Sequence, residues 1–311
     1  MAATHFTLNT GARIPALGLG TWQGTPGSTQ AAVAHALSTG YTHIDCAFAY
    51  GNEDEVGRGL ADAFSRGVKR EDIFVTTKLW CTYHSRVEEN LDKSLKSLGL
   101  EYVDLYLMHW PVAMNPDGKA GSHPLFPRLE NGSIDIVRDW SYIQTWKAME
   151  KLLSTGKVKA IGVANHSVKF LTDLLREATI TPAVNQIENH PALPQQDIVD
   201  FCKEKGIHIT AYSPLGSSGS PLVKAEPVLH LSEKHGVAPA NILLSYHIAR
   251  GSSVLAKSSN LDRISANKHI VDLDASDMKV LNDYSDELAR TGKLKRYVDR
   301  DYGIDLGFPK I

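Results

Sequence analysis

The sequence predicts a (β/α)8 barrel, with a small β-hairpin before it and an irregular tail after it. Three observations predict this. Short apolar runs alternate with segments of helical character. Eight such strand–helix units fit into 311 residues. No Gly/Ser-rich linker and no shift of composition divides the chain. Alternating strands and helices make a parallel sheet, and eight units in about 300 residues favour a closed barrel over an open sheet. One domain spanning residues 1–311 is expected.

The elements follow in order. Residues 7–15 form the hairpin, turning at Thr10-Gly11, and a short strand at 16–22 leads into a helix at 28–39 that Gly40 stops. Strand 41–45 feeds a helix at 52–65 with Asn52 as its N-cap. Strand 73–78 precedes a helix at 85–98, capped by Ser85 and stopped by Gly99. Strand 103–109 runs into a long irregular loop, 110–140, and then a helix at 142–155. The next pairs are strand 158–163 with helix 168–178, and strand 183–187 with helix 195–205. Strand 207–212 is followed by two helices, 226–235 and 239–250. Strand 253–256 and a helix at 261–267 close the set, and a helix at 276–288 precedes the tail.

Composition sets the class. Apolar residues make up 42% and charged residues 22%, a soluble globular mixture, and the net charge of −2 suggests neither a nucleic-acid nor a membrane partner. The first residues, Met1-Ala-Ala-Thr-His5, do not read as a secretion signal. The cysteines are Cys46, Cys81 and Cys202, an odd number with no C-x-x-C, so a reducing cytoplasm is expected.

In such barrels chemistry is built at the C-terminal ends of the strands. Those ends carry Thr21 and Trp22, Asp45, Lys78, His109, Asn165, Gln186, Tyr212 and Lys257. Tyr50 lies just past Asp45, on the loop entering the next helix. Taken singly, Tyr50 reads as a packed aromatic and His109 as a core histidine. Together at neighbouring strand ends they read as a site. A charged Lys78, kept charged by Asp45, lowers a nearby phenol from its usual pKa of about 10. Tyr50 then serves as proton donor to a carbonyl oxygen that His109 orients. An acid and an orienting group without a metal suit carbonyl reduction, which needs a hydride source.

These residues sit in motifs that resemble the aldo-keto reductases over nearly the whole chain. The motifs are Gly20-Thr-Trp22, Asp45-x4-Tyr50-x-Asn52-Glu53, Thr77-Lys78-Leu-Trp80, Met108-His109-Trp-Pro111, Gly162-Val-x-Asn165, Asn185-Gln186, Tyr212-Ser-Pro-Leu-Gly216 and Lys257-Ser258-x4-Arg263-Ile264. The resemblance implies a catalytic tetrad of Asp45, Tyr50, Lys78 and His109. It implies a nicotinamide site in which Asn165 and Gln186 hold the carboxamide and Tyr212 stacks on the ring, beside Gly20, Thr21, Trp22 and Asp45. Ser213, Leu215 and Ser217 would line the pyrophosphate; Lys257, Ser258 and Arg263 would hold a 2′-phosphate, and Asn267 the adenine. The ending Tyr302-Gly-Ile-Asp-Leu-Gly-Phe-Pro309 is similar to fungal glycerol dehydrogenases and glyceraldehyde or aldose reductases. The chain departs from the family pattern at Ala164 and Ala266, where Ser and Glu are usual, and lacks the usual Pro before Lys257.

The implied reaction is reversible NADPH-dependent reduction of a small aldehyde, glyceraldehyde or an aldose, by a monomer. NADP(H) over NAD(H) follows from Lys257, Ser258 and Arg263 at the start of a short helix, an anion site that a 2′-hydroxyl leaves unmatched. Trp22, Tyr50, Trp80, His109, Trp110, Phe126 and the tail near 297–302 are expected around the substrate. Loop 110–140 and tail 292–311 are expected to set substrate choice. A Rossmann enzyme is disfavoured because Gly18-Leu-Gly20-Thr-Trp-Gln-Gly24 is not G-x-G-x-x-G. A glycosidase needs two facing carboxylates, and Asp45 stands by itself among the strand ends. A non-enzymatic NADP-binding regulatory subunit of the same fold is the remaining alternative, disfavoured by the complete tetrad.

Overall fold

In the computed structural model, which describes residues 2–117 and 123–311, eight parallel strands close on themselves. They are β3 (Leu17–Gly20), β4 (His43–Asp45), β5 (Phe74–Leu79), β6 (Leu105–Met108), β7 (Ile161–Ala164), β8 (Val184–Glu188), β9 (His208–Tyr212) and β10 (Ser253–Lys257). Their order around the barrel is that of the chain, and β10 closes onto β3 with Lys257 opposite Gly20. The strands are buried along nearly their full length, which is why they are runs of Val, Ile, Leu and Ala and not alternating patterns. Space inside is tight. A methyl group on Gly162 of β7 would lie 2.6 Å from the Val184 carbonyl oxygen and 2.8 Å from a Leu107 methyl.

The antiparallel hairpin of β1 (His5–Thr7) and β2 (Arg13–Pro15) covers the opposite mouth. Its Leu8 and Ile14 pack on Phe74, Leu105, Ala160, Ala183 and Val184, at the beginnings of the barrel strands. An outer layer is made by α1 (Ser28–Ser38), α2 (Glu53–Ser65), α3 (Val87–Leu98), α4 (Tyr142–Leu152), α5 (Val168–Glu177), α6 (Gln196–Glu204), α7 (Glu226–His235), α8 (Pro239–Ala249) and α9 (Leu261–Asn267). The tail follows α10 (Ala275–Arg290). The main core lies between strands and helices, with Trp146, Met149, Leu171 and Ile198 among its members.

Two helix starts differ from the sequence expectation. Ser85 does not cap α3; a 3-10 turn at Cys81–Tyr83 intervenes, and Arg86 holds the N-cap position with no side-chain cap bond. Asn52 does precede α2, but its side chain makes no cap bond. Its Nδ2 instead donates to the Thr21 carbonyl at 2.9 Å and to Thr29 Oγ1 at 3.3 Å. The same amide that can accept at a helix start can donate, and here the β3 loop claims it.

Strands 103–109 and 158–163 are shorter than expected because Val103 and Val158 pair only as an isolated bridge. The loop after β6 is less irregular than expected. It folds back on itself through bridges from Met114 to Ile136 and from Arg128 to Ile134. Its residues 118–122 lie outside the described residues. Cys46, Cys81 and Cys202 are all free and buried. Among the described residues no helix is long and apolar enough to cross a membrane.

Candidate active site

The C-terminal ends of the strands surround a cavity of about 400 Å³. At its base β5 points Lys78 inward, with its side chain 1% exposed. A buried ammonium must have its three protons matched. Nζ donates to Asp45 Oδ1 at 2.6 Å, to the Cys46 carbonyl at 2.9 Å and to Tyr50 Oη at 3.2 Å. Burial by itself would lower the Lys78 pKa. The charges and hydrogen bonds of Asp45 and Tyr50 outweigh it, and the net shift is upward.

Asp45 ends β4 and is shared among neighbours. Its Oδ2 accepts from Gln186 Nε2 at 2.8 Å, and its backbone oxygen accepts from the Thr21 N–H and hydroxyl. Tyr50 closes a 3-10 turn at Phe48–Tyr50, and Gly51 leaves it with a φ of 67°, a conformation that suits glycine. Because Lys78 donates to Oη, the phenol keeps its own proton for another acceptor.

The expectation that Lys78 brings the phenol below its usual pKa is not met in this structure. Burial dominates and pushes Tyr50 up to about 12, with the Lys78 charge pulling against it. The phenol is therefore protonated throughout the neutral range, the form an acid needs.

His109 follows β6. Its ring stands edge-on to Tyr50 at 5.7 Å between centroids and to Trp80 at 5.2 Å. Burial, helped by the charges of Lys78 and Arg300, holds the imidazole well below its usual pKa. It is neutral at pH 7, with one N–H to offer a hydrogen bond and no charge to give up. A protonated phenol backed by an ammonium, beside a neutral imidazole, is able to polarise and protonate a carbonyl oxygen.

Gly20, Thr21, Trp22, Asp45, Tyr50, Trp80, His109, Trp110 and Phe126 all line this one cavity. So do Asn165, Gln186, Tyr212, Ser213, Leu215, Ser217 and Lys257. Asn165 has a φ of 59°, and its amide bridges two strands, donating to the His109 carbonyl at 2.9 Å and accepting from Tyr212 Oη at 2.7 Å.

Lys78 lies behind the lining, and Ser258, Arg263 and Asn267 lie outside it. Arg263 is exposed on α9 and Asn267 is buried there. The start of this seven-residue helix is already capped, since Asn260 Oδ1 accepts the Arg263 N–H at 2.9 Å. An anion there would rest on the side chains of Lys257, Ser258 and Arg263.

The lining also includes Gln23, Ser218 and Ser220, not singled out in the sequence, and Val298 and Arg300, which fall within the tail stretch 297–302 expected around the substrate. Gln23 accepts Lys257 Nζ on its carbonyl at 2.9 Å and Ser218 Oγ on its side chain at 3.4 Å. In the tail, Val298, Arg300 and Tyr302 line the cavity while Tyr297 turns away onto the His190 ring. That alternation by two is the signature of extended chain.

Residues 16–286 match the aldo/keto reductase family. The chain is 62% identical to a D-galacturonate reductase of Hypocrea jecorina over 309 residues, 99% of each chain. It is 49% identical to a glycerol 2-dehydrogenase (NADP(+)) of Saccharomyces cerevisiae, over 90% of each chain. Among solved structures it resembles the aldose reductase of Schistosoma japonicum, with a TM-score of 0.84 and 39% identity over 90% of this chain and 91% of that one.

Proposed function

This chain belongs to the aldo/keto reductase family of oxidoreductases, and from that premise we propose that it reduces the aldehyde of an open-chain hexuronate such as D-galacturonate, using NADPH. The observation that carries the uronate is Arg300. It lines the cavity beside His109, its charge is felt at the His109 and Tyr212 rings, and its guanidinium lies 5.9 Å from the centre of Phe126. A cation over an aromatic wall suits a substrate with an aldehyde at one end and a carboxylate at the other. The extensive identity to a D-galacturonate reductase supports the same class.

The donor set fits a nicotinamide dinucleotide. Gln186 and Asn165 each spend one amide hydrogen on the protein, and each NH2 group carries a second. These two would hold the carboxamide with Tyr212 against the ring. Ser213, Leu215 and Ser217 would line the pyrophosphate. Lys257, Ser258 and Arg263 would take the 2′-phosphate, and Asn267 would take the adenine. The bound cofactor supplies the hydride. Tyr50 gives the carbonyl oxygen its proton, Lys78 and Asp45 hold the charge that develops on the phenol, and His109 orients the oxygen. Trp22, Trp80, Trp110 and Phe126 exclude water around the substrate.

The test is a set of NADPH-linked rates with D-galacturonate, D-galactose and glyceraldehyde for the wild type and Arg300→Met. Charge-assisted hydrogen bonds are worth about 1.5–3 kcal/mol, so kcat/KM for galacturonate should fall roughly ten- to a hundredfold in the variant. Glyceraldehyde should change by less than about twofold, since it presents no carboxylate. Equal losses on all three substrates, or a wild type that favours galactose, would overturn the uronate assignment.

A further inference from the structure

Residues 291–311 contain no helix and no strand, so no regular ladder of hydrogen bonds fixes the backbone that carries Arg300 and Tyr302. Tyr302 is buried against Trp80, Cys81 and Trp110, and the backbone before Arg300 is held by a side chain of the barrel. Glu188, the last residue of β8, is fully buried. Its Oε1 accepts the backbone N–H of Tyr297 at 2.7 Å, and its Oε2 accepts that of Val298 at 2.9 Å. His190 Nε2 lies 2.9 Å from the same Oε1. The surroundings brace the pair. Gln195 donates to the Glu188 carbonyl and accepts from Arg296 Nη2, and Lys295 N–H donates to the Ala192 carbonyl at 2.9 Å.

The position of Glu188 matters as much as its bonds. It lies two residues beyond Gln186 on the same strand, so both side chains project from one face. Gln186 is bonded to Asp45 at the base of the cavity, and Glu188 to the segment carrying Arg300 at its mouth. One rigid strand therefore sets the separation between the group that reduces and the group that selects.

Resting on the uronate assignment above, we infer that Glu188 is a positioning residue for substrate selection: its carboxylate clamps the Tyr297 and Val298 amides so that Arg300 meets the substrate carboxylate while the aldehyde lies on Tyr50. Glu188→Gln keeps the size of the side chain and one acceptor oxygen, but it turns an NH2 group toward one of the two amides. The galacturonate-over-glyceraldehyde ratio of kcat/KM should fall at least about tenfold, through KM for galacturonate, because a loosened arginine loses its alignment before it loses its charge. The Kd of NADPH should stay within about twofold. The amides of Tyr297 and Val298 should exchange at least about tenfold faster by NMR, with α-helical amides unchanged. A uniform loss across substrates and NADPH, or an unchanged ratio with unchanged exchange, would overturn the inference.

Should Glu188→Gln fail to fold, the wild type decides. The clamp requires the amides of Tyr297 and Val298 to be at least about tenfold better protected than those of Asp299 and Arg300. Equal exchange across these four residues would overturn it. A wild type without preference for galacturonate defeats the uronate assignment, while the exchange measurement still decides the clamp.

Discussion

The base and the mouth of the cavity are built on different terms. At the base, Lys78, Asp45, Gln186, Tyr50 and Asn165 each bond to at least one other member or to a neighbouring strand end, and Lys78 and Asp45 are nearly inaccessible. At the mouth, Arg300, Phe126 and Val298 come from a tail without regular structure and from the loop after β6. The base is over-determined, so a change there should remove the reaction. The mouth hangs on a few contacts such as those of Glu188, so a change there should alter which substrate reacts. Chemistry common to many carbonyl compounds is thus kept apart from recognition of one of them.

Lys78→Met breaks the base and should give the largest effect. Loss of the charge behind a general acid costs roughly 10²–10⁴ in kcat. The sign of the accompanying pH change is fixed by the forces on Tyr50. Burial holds its pKa up near about 12, and the Lys78 charge opposes that rise. Removing Lys78 leaves burial and Asp45, both of which raise it. The alkaline limb of alcohol oxidation, which needs the phenolate, should therefore move to higher pH. Asp45 is left buried without its ammonium, a loss of about 3–5 kcal/mol in stability, so rates must be taken on protein shown by circular dichroism to be folded. An unchanged pH profile at a near-normal rate would mean that Lys78 does not act on Tyr50.

The base was legible in the sequence because its members lie at, or within a few residues of, the C-terminal ends of strands, and strand ends can be located from apolar runs followed by helix starts. Asp45, Lys78 and His109 needed only that. The mouth was not legible to the same degree. Arg300 sits in Val298-Asp-Arg-Asp-Tyr302, where charges on either side suggest a solvated stretch. Arg300 is exposed at the rim of the cavity, and the backbone two and three residues before it is held by Glu188, more than a hundred residues away, through amides that the sequence does not reveal. The rise in the Tyr50 pKa was missed for a related reason. The sign of each pairwise charge effect can be read from residue types, but the burial that outweighs it is a property of the packed site.

The cofactor end offers an intermediate case. Arg263 is exposed, and the amide at its own position is already taken by Asn260, so its contribution must come from its guanidinium. Arg263→Ala should weaken NADPH by about ten- to a hundredfold and leave NADH nearly unchanged, because only the former has the phosphate to lose. Fluorescence titration with both cofactors measures this. Equal weakening of both would remove Arg263 from the phosphate site, and equal affinity of the wild type for both would remove the site itself.

The smallest effect separates two roles for Asn52, at the edge of the base. An N-cap residue works as an acceptor, and Asp serves there as well as Asn. In the structure Asn52 works as a donor, tying the Thr21 carbonyl, and with it the loop that hydrogen-bonds Asp45, to the start of α2. Asn52→Asp retains the shape and the accepting oxygens but loses both N–H groups, and it turns a carboxylate toward the Thr21 carbonyl. A cap role requires Asn52→Asp to leave stability unchanged or slightly raised. The donor role requires a loss of about 1–3 kcal/mol, since a buried carbonyl loses its partner. For a chain of this size that is roughly 2–4 °C in Tm per kcal/mol, within reach of a thermal melt. Asn52→Ala should fall alongside Asn52→Asp if donation is what matters. A melt in which the Asp variant matches the wild type while the Ala variant drops would restore the cap and detach Asn52 from the base of the site.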